Sequence, residues 1–384
     1  MKLRPHWIQR IEDAWRLRSI VWLPGVRRAG KTTLCRSLPD AEYFDCELPR
    51  VRRQLEDPEA FLEDLAGKRI VLDEIHRLGN PAELLKIAAD HHPRVRIIAT
   101  GSSTLGASAR FRDTLAGRKA VVWLTPMTHA DQDAFGIRRL GRRLLHGGLP
   151  PFFLASEPPE ADFQEWMDAF WARDIQEMFH LEKRQSFQRF VELLLMTSGG
   201  IFEATRYARD CEVSRTTISN YLGVLEATFV AHIVRPFSTR RATEIVAAPK
   251  VYGFDTGFVA HYRGWRELRP EDHGNLWEHI VLNEIHAARQ ARDTHYWRDK
   301  QGHEVDFILP GRRGAPVAIE CKWKEAAFDP SNLSIFRSKY PNGVNLVVAS
   351  DVDRPHVKTH RGLKVRYVGP ASLIAALGNR SEGT

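Results

Sequence analysis

The feature that most constrains the fold is a glycine-rich loop that lies between a short apolar run and a helical pattern. Residues 25–32 read Gly-Val-Arg-Arg-Ala-Gly-Lys-Thr and fit the pattern G-x-x-x-x-G-K-[ST] in full. Residues 20–23 predict a strand before the loop, and residues 32–37 predict a helix after it. Such a loop points backbone N–H groups at phosphate, and the helix N-terminus adds positive potential. The loop therefore predicts an α/β fold that binds a nucleotide through its phosphates.

Each residue of this loop is a candidate contact to the nucleotide. The predicted nucleotide-binding residues are Gly25, Val26, Arg27, Arg28, Ala29, Gly30, Lys31, Thr32 and Thr33. Lys31 is expected to contact the β- and γ-phosphates, and the hydroxyl of Thr32 is expected to ligate Mg²⁺.

A second motif supplies two consecutive carboxylates at the end of an apolar run. Residues 69–72 predict a strand that ends in Asp73 and Glu74. Asp73 is expected to hold Mg²⁺, and Glu74 is expected to orient or deprotonate the attacking water. The two motifs together predict nucleotide hydrolysis.

Two further positions are candidates for a role in hydrolysis. Residues 95–100 predict the next strand, which runs into Gly101, Ser102 and Ser103. Either serine is placed to sense the γ-phosphate or to position the water. Arg118, in a basic segment that follows, is the candidate for an arginine finger that reaches a neighbouring subunit. A solvated surface arginine is the alternative reading of Arg118.

The order of apolar runs predicts the organisation of the chain. Runs at 19–23, 42–46, 69–72, 95–100 and 120–124 alternate with helical patterns, which predicts a parallel sheet covered by helices. Residues 137–185 read as helical, broken by the sequence Gly-Gly-Leu-Pro-Pro at 147–151.

Composition sets limits on the function. Of 384 residues, 56 are Lys or Arg and 48 are Asp or Glu, and the net charge of +8 permits a polyanionic partner such as nucleic acid. The four cysteines form no C-x-x-C pair, which excludes a zinc ribbon and favours reduced thiols. Since no apolar stretch approaches 18 residues and the N-terminal segment is charged, we expect a cytoplasmic protein that is not inserted in a membrane.

A helix-turn-helix pattern lies in the middle of the chain. Residues 204–210 predict a short helix, 211–213 a turn, and 214–225 a second helix with Ser214 as its N-cap. Ile218 and Leu222 fall on one face of that second helix. The opposite face carries the candidate DNA-contacting side chains Arg215, Thr216, Thr217, Ser219 and Asn220.

A strand-rich segment follows this pattern. Residues 229–237 predict a β wing, with Arg240 and Arg241 at its basic tip. The sequence thus indicates a winged helix that binds DNA, with packing against protein as the alternative.

The last third of the chain carries a second group of carboxylates. Asp306 is followed fourteen residues later by Glu320 and Lys322, and a predicted helix at 275–292 supplies Glu278 and Glu284. Glu320 and Lys322 share one face of a strand because they are two residues apart. Asp306 and Glu320 are the candidate ligands of a second Mg²⁺, and Lys322 would stabilise developing charge. A retained, non-cleaving binding domain and ordinary edge-strand charges are the alternatives to an active nuclease.

Three motifs of this chain recur together in one group of proteins. They are the loop Gly-Val-Arg-Arg-Ala-Gly-Lys-Thr-Thr, the motif Leu-Asp-Glu-Ile-His at 72–76 and the sequence Ala-Thr-Gly-Ser-Ser-Thr at 99–104. Further segments are similar to landmarks of the same group, namely residues 115–118, 124–126, 147–150, 173–175, 250–257 and 277–284. The chain resembles the prokaryotic AAA-type P-loop ATPases that carry a C-terminal domain of unknown function. It departs from them at residues 129–135, where an acidic-aromatic pair is frequent in the family.

The resemblance and the motifs predict one architecture with four parts. Residues 1–135 are expected to form an AAA-type P-loop NTPase core, 136–185 a helical lid, 186–245 a winged-helix module, and 246–384 a restriction-endonuclease-like α/β domain. We expect an ATPase that uses ATP and Mg²⁺, acts on DNA as a motor or remodeller, and assembles into a ring or partial ring. The alternatives are an ATP-gated, Mg²⁺-dependent DNA nuclease and a nucleotide-switched regulatory protein that binds protein partners.

Overall fold

A computed structural model describes residues 2–101, 109–157, 159–176, 183–238, 248–311 and 315–378. Ser102, Ser103, Arg240 and Arg241 lie outside these ranges. The helices are α1 (Pro5–Leu17), α2 (Lys31–Arg36), α3 (Pro49–Gln54), α4 (Pro58–Glu63), α5 (Pro81–His91), α6 (Ala109–Thr114), α7 (His129–Phe135), α8 (Leu140–His146), α9 (Pro150–Leu154), α10 (Glu160–Ala169), α11 (Arg184–Met196), α12 (Ala204–Asp210), α13 (Arg215–Ala227), α14 (Thr256–Tyr262), α15 (Asp272–Arg289), α16 (Ser331–Lys339) and α17 (Pro370–Gly378).

The first part of the chain forms a parallel sheet of five strands. The strands are β1 (Ile20–Trp22), β2 (Ala41–Asp45), β3 (Arg69–Asp73), β4 (Arg96–Ala99) and β5 (Lys119–Val121). Their order across the sheet is β2-β3-β4-β1-β5, and every neighbouring pair is parallel. The α/β fold with a parallel sheet, predicted from the alternating apolar runs, is confirmed.

The central strands β1, β3 and β4 are buried on both faces, which is why they read as continuous apolar runs. Val21 and Val71 point into a core that also contains Trp7 of α1. Ile20 and Ile70 point to the opposite face, into a separate core. Because successive side chains of a strand alternate between faces, each run must be apolar at every position.

The second half of the chain contributes to an eight-stranded mixed sheet. Its strands are β6 (Ala231–Pro236), β7 (Lys250–Gly253), β8 (His295–Arg298), β9 (Glu304–Leu309), β10 (Val317–Lys322), β11 (Asn345–Ala349), β12 (His356–His360) and β13 (Leu363–Val368). The order is β12-β13-β11-β10-β9-β8-β6-β7. The elements α15, β8, β9, β10, α16 and β11 follow one another in the predicted order of helix, three strands, helix and strand.

The structure joins segments that the four-part division separates. Strand β6, in the segment predicted as the wing, pairs in parallel with β8 and antiparallel with β7. The boundary predicted at residue 246 therefore divides one sheet. Helix α14 also packs closely against the lid. A Cβ on Gly257 would lie only 2.5 Å from the carbonyl oxygen of His146.

The predicted lid is helical and ends in an unusual turn. Helices α8, α9 and α10 are followed by a π-helix at Phe170–Ile175.

Within the ranges given above, no helix is long and apolar enough to cross a membrane.

A buried ion pair ties α1 to the glycine-rich loop and to α7. The Arg4 guanidinium lies 2.6 Å from Asp131 and also donates to the carbonyl of Ala29 at 2.9 Å. The side chains of Arg4 and Asp131 are 4% and 0% exposed. Burial alone would raise the pKa of Asp131, but the charge of Arg4 and its hydrogen bonds hold that pKa below its usual range.

Replacing Arg4 by Met is expected to lower the free energy of unfolding by about 3–5 kcal/mol, because Asp131 stays buried without its partner charge. Arg16→Met is the matched control on the same helix. Arg16 forms an exposed pair with Asp13, so its loss should cost less than about 1 kcal/mol. Urea denaturation followed by tryptophan fluorescence measures both. Equal losses in the two variants would contradict the role assigned to the buried pair.

Candidate nucleotide-binding site

Gly25 and Gly30 occupy positions in the loop that do not accommodate a side chain. Gly30 has a φ of +94°, in the left-handed region that favours glycine. A Cβ on Gly25 would lie 2.4 Å from the carbonyl oxygen of Leu124, so a residue with a side chain would force the loop away from the strand β5 segment. The two fixed glycines of the sequence pattern are thus explained by backbone conformation and by close packing.

Lys31 begins helix α2 and points back over the loop. Its Nζ donates to the carbonyls of Gly25 at 2.9 Å and Val26 at 3.2 Å. Burial lowers the pKa of Lys31, and the negative charge of Glu74 is the largest effect that raises it. The ammonium therefore lies directly above the loop, at the position expected for a contact to phosphate.

Asp73 lies at the end of β3 among three hydroxyl groups. Thr32 Oγ1 donates to Asp73 Oδ2 at 2.8 Å, and the hydroxyls of Tyr43 and Thr100 also donate to this carboxylate. Asp73 is buried, and the described residues place no Lys, Arg or His within ion-pair distance of it. A carboxylate and a threonine hydroxyl are hard oxygen donors that suit Mg²⁺, which completes its shell with substrate phosphates and water.

Glu74 follows Asp73 in a left-handed backbone conformation, with a φ of +54°. Its N–H donates to Thr100 Oγ1 at 3.2 Å, and its side chain, 34% exposed, lies 3.2 Å from His76 Nδ1. Burial alone would raise the pKa of Glu74, but the His76 hydrogen bond and the Lys31 charge lower it below its usual value. The carboxylate is therefore ionised and partly open to solvent at neutral pH.

Lys31, Thr32 and Glu74 border a cavity of about 570 Å³ between the loop and the lid. The lid side is formed by Pro150, Leu154, Arg173 and Asp174. Residues that sequence reasoning did not assign to the site are Thr100, Tyr43, His76, Arg173 and Asp174. The segment 173–175 carried a signal as a family landmark, but its approach to the loop depends on tertiary contacts.

Three contacts hold the lid against the loop. Arg27 Nε lies 3.2 Å from Asp174 Oδ2, and the indole of Trp166 donates to the carbonyl of Arg27 at 3.1 Å. Arg28 contacts the carboxylate of Glu165 on α10. The two arginines inside the loop motif thus serve as lid contacts.

Arg118 is held by a carboxylate of its own chain. Its guanidinium makes two hydrogen bonds to Asp90, at 2.7 and 3.0 Å. The role of Arg118 as an arginine finger stays a prediction, as does the role of Ser102 or Ser103, which lie outside the described residues.

The helix-turn-helix elements are present at the predicted positions. The Ser214 hydroxyl accepts from the N–H of Thr217 at 3.1 Å and caps α13, and Ile218 and Leu222 are buried. On the opposite face, Arg215, Thr216, Ser219 and Asn220 are exposed and Thr217 is half-buried. The face predicted to contact DNA is therefore open in this chain.

Three of the four predicted nuclease carboxylates lie in one cluster with Lys322. The Lys322 ammonium lies 2.7 Å from Glu320 and 3.7 Å from Asp306. Burial and the charge of Asp306 raise the pKa of Glu278 to about 7 and that of Glu320 to about 8. One oxygen of Glu320, Oε1, is buried without a partner among the described residues.

Glu284 does not join this cluster, so the structure does not bring all four predicted carboxylates together. Its carboxylate accepts the backbone N–H of His129 at 2.7 Å, on another side of α15. Glu278 and Glu284 are six residues apart and cannot share a face at 3.6 residues per turn. Sequence reasoning missed Lys250 and Tyr252, which contact Glu304 and Glu278 respectively.

The donor chemistry of the cluster suits a hard cation only in part. Asp306 and Glu320 offer carboxylate oxygens, yet Lys322 contacts both of them. In the ranges described, no group of three or more His, Cys, Asp or Glu side chains is arranged to hold a metal ion.

Comparison with known proteins divides the chain into three segments. Residues 17–131 match an AAA domain, residues 137–269 a domain of unknown function (DUF8612), and residues 273–365 another domain of unknown function (DUF4143). Two curated relatives are the uncharacterized proteins Mb2031c of Mycobacterium bovis and Rv2008c of Mycobacterium tuberculosis. Each is 30% identical over 334 residues, which cover 82% of this chain and 74% of the relative.

Solved structures show more distant similarity. The Walker-type ATPase PABY2304 of Pyrococcus abyssi has a TM-score of 0.44 at 15% identity, over 68% of this chain and 96% of that chain. An assembly of McrB AAA+ hexamers with bound McrC from Thermococcus gammatolerans has a TM-score of 0.23 at 11% identity, over 51% of this chain and 52% of that chain.

The matched AAA domain spans the glycine-rich loop, Asp73 and Glu74, and the similarity to the two mycobacterial proteins extends over most of the chain. The chain belongs to the family of Rv2008c and Mb2031c, as an AAA-type P-loop ATPase whose remaining parts are domains of unknown function.

Proposed function

We propose that the protein binds ATP with Mg²⁺ in the cavity between loop and lid, hydrolyses it, and couples this turnover to DNA. The observation that carries the ATPase part is the convergence of Lys31, Thr32 and Glu74 on one cavity of about 570 Å³, with Asp73 hydrogen-bonded to Thr32 behind its wall. This volume lies within the range of small-molecule sites.

Each side chain has a role that follows from its position. The Lys31 ammonium would leave the carbonyls of Gly25 and Val26 and bind phosphate oxygens instead. Its positive charge would then offset the negative charge of the phosphates. Thr32 and Asp73 would hold Mg²⁺, whose positive charge would offset that of the phosphates. The ionised Glu74 would accept a hydrogen bond from the attacking water and take its proton. His76 keeps the Glu74 carboxylate ionised and oriented.

Lys31→Ala is expected to reduce ATP turnover by more than about a hundredfold and to weaken binding of a fluorescent ATP analogue, because the phosphate charge is left unpaired. Glu74→Gln is expected to lose turnover by about the same factor and to retain analogue binding, because the amide cannot take a proton. Steady-state phosphate release and fluorescence anisotropy measure the two properties. Turnover that survives both substitutions would place hydrolysis elsewhere.

DNA is the proposed partner because the exposed face of α13 presents hydrogen-bonding and cationic side chains. Arg215 and Asn220 are exposed there, and the net charge of the chain is +8. Assembly into a ring or partial ring is part of the proposal, in which Arg118 would leave Asp90 and reach the site of a neighbouring subunit.

ATP turnover is expected to rise with one form of DNA among single-stranded, duplex and branched substrates at fixed salt. Replacing Arg215 and Asn220 together by Ala should weaken DNA binding and lower the slope of log affinity against log salt by about one. Arg184→Ala is the control, because Arg184 is also exposed but pairs with Asp168 on the lid. Healthy turnover that no DNA form changes would favour a nucleotide-switched protein that binds protein partners.

A second candidate function is an ATP-gated, Mg²⁺-dependent nuclease. It rests on the convergence of Asp306, Glu320, Lys322 and Glu278 at β9, β10 and α15, in a restriction-endonuclease-like order of elements. Asp306 and Glu320 would hold the ion, which would have to replace the contacts of Lys322. Lys322 would then be free to stabilise charge on the scissile phosphate.

Under this second proposal, Glu278→Gln and Asp306→Asn are expected to abolish Mg²⁺-dependent nicking of plasmid DNA in the presence of ATP. Glu284→Gln is the matched control, since Glu284 lies on the same helix but away from the cluster. Burial raises the pKa of Glu284 to about 8, so an uncharged amide should be tolerated at neutral pH. Nicking that persists in Asp306→Asn, or that is absent from the unmodified protein, would exclude this function.

A further inference from the structure

Strand β5 is an edge of the five-stranded sheet, and its free side opens onto a cavity. The cavity measures about 510 Å³ and is separate from the nucleotide cavity. Its walls come from β5, the C-terminal end of α13 and the segment after α15, and include Arg112, Lys119, Val121, Glu226, Phe229 and Arg292.

The backbone of β5 has unused hydrogen-bonding groups on this side. Val122 N–H donates to Trp22 of β1 at 2.9 Å. Because hydrogen bonding alternates along a strand, Lys119 and Val121 direct their N–H and C=O groups away from β1. Among the described residues, none is hydrogen-bonded to these outward groups.

A glutamine marks where this open edge ends. The Gln290 side chain accepts the N–H of Trp123 at 2.6 Å and donates to the carbonyl of Trp123 at 3.1 Å. These are the two bonds that a neighbouring strand would make, so Gln290 acts as a short substitute for one. The open stretch of edge is therefore limited to Lys119 and Val121.

The cavity carries excess positive charge. Arg112, Lys119 and Arg292 line it against one carboxylate, Glu226. None of the three cations has a carboxylate within ion-pair distance in the described part of the chain. Arg292 is held instead by the Phe229 ring, 4.2 Å from its centroid, and by the carbonyl of Glu226 at 2.5 Å.

Val121 adds an apolar feature between the cations. Its side chain is 51% exposed, and it shares the cavity face of β5 with Lys119, two residues away. An exposed apolar side chain on an open strand edge is a known site for strand addition.

We propose that this edge binds an extended acidic peptide segment of a partner protein, which adds as a short strand to β5. The peptide would exchange hydrogen bonds with Lys119 and Val121, set an apolar side chain on Val121, and direct carboxylates two positions away toward Lys119 and Arg292. A nucleic acid fits less well, because its phosphates offer acceptors alone and leave the outward carbonyls unpaired. The proposal does not depend on ATP hydrolysis or on DNA binding.

The test uses a fluorescent, end-capped heptapeptide with glutamate at positions 2 and 6, valine at position 4 and threonine elsewhere. Fluorescence anisotropy with the full-length protein should show saturable binding. Lys119→Glu combined with Arg112→Glu should weaken binding at least tenfold. Val121→Pro should also weaken it, because proline removes an outward N–H that makes no bond to β1.

Three controls separate the strand mode from simple charge attraction. Val121→Ala keeps the N–H, so it should retain more affinity than Val121→Pro while ATP turnover stays unchanged in both. The same peptide with N-methyl groups on alternate amides should lose binding. Equal binding of the methylated peptide, stronger competition by an oligothymidylate of matched charge, or the absence of binding at millimolar peptide would each overturn the proposal.

Discussion

The packing of the parts of this chain against one another depends most on the contacts of the buried Arg143 guanidinium. It is 1% exposed, donates to the carbonyl of Met127 at 3.1 Å and to the hydroxyl of Thr256 at 2.9 Å, and lies 3.7 Å from Asp255. A buried cation without such partners would cost several kcal/mol. Three segments that are far apart in sequence are thereby held together: the end of the ATPase core, the lid and α14.

The same network lies next to the nucleotide cavity. The N–H of Gly148 donates to Asp255 at 2.6 Å, and Pro150, two residues later, lines the cavity. A Cβ on Gly147 would lie 1.9 Å from an oxygen of Asp255, which explains the pair of glycines at this point. The Arg143–Asp255 network and the nucleotide cavity therefore share the short segment 148–150.

The two carboxylate sites differ in the cation that is available to them. At the nucleotide site, Asp73 is surrounded by hydroxyl groups, so it can accept a metal ion without losing an ion pair. In the C-terminal cluster, the Lys322 ammonium already lies within ion-pair distance of Asp306 and Glu320. Under the proposed function, the first site would accept Mg²⁺ directly, whereas the second would have to rearrange before it could bind the ion.

The nucleotide site could be read from the sequence because its parts are local. Gly25, Gly30 and Lys31 lie within seven positions, and Asp73 and Glu74 end a run that is apolar because both of its faces are buried. The strands of the first sheet and the helices on either side of the turn at 211–213 are local in the same sense. Helical geometry alone separates Glu284 from Glu278, since the two lie six positions apart on α15.

Contacts between residues far apart in the sequence were decided by the tertiary structure alone. Arg4 pairs with Asp131, Gln290 caps the edge of β5 at Trp123, and β6 joins the C-terminal sheet. No pattern within a short window specifies these partners, because each depends on how separately predicted elements pack. The sequence by itself therefore determined the phosphate-binding chemistry and the class of fold. Packing decided which side chains face one another, since the burial of apolar surface is the same for many arrangements and buried polar partners select among them.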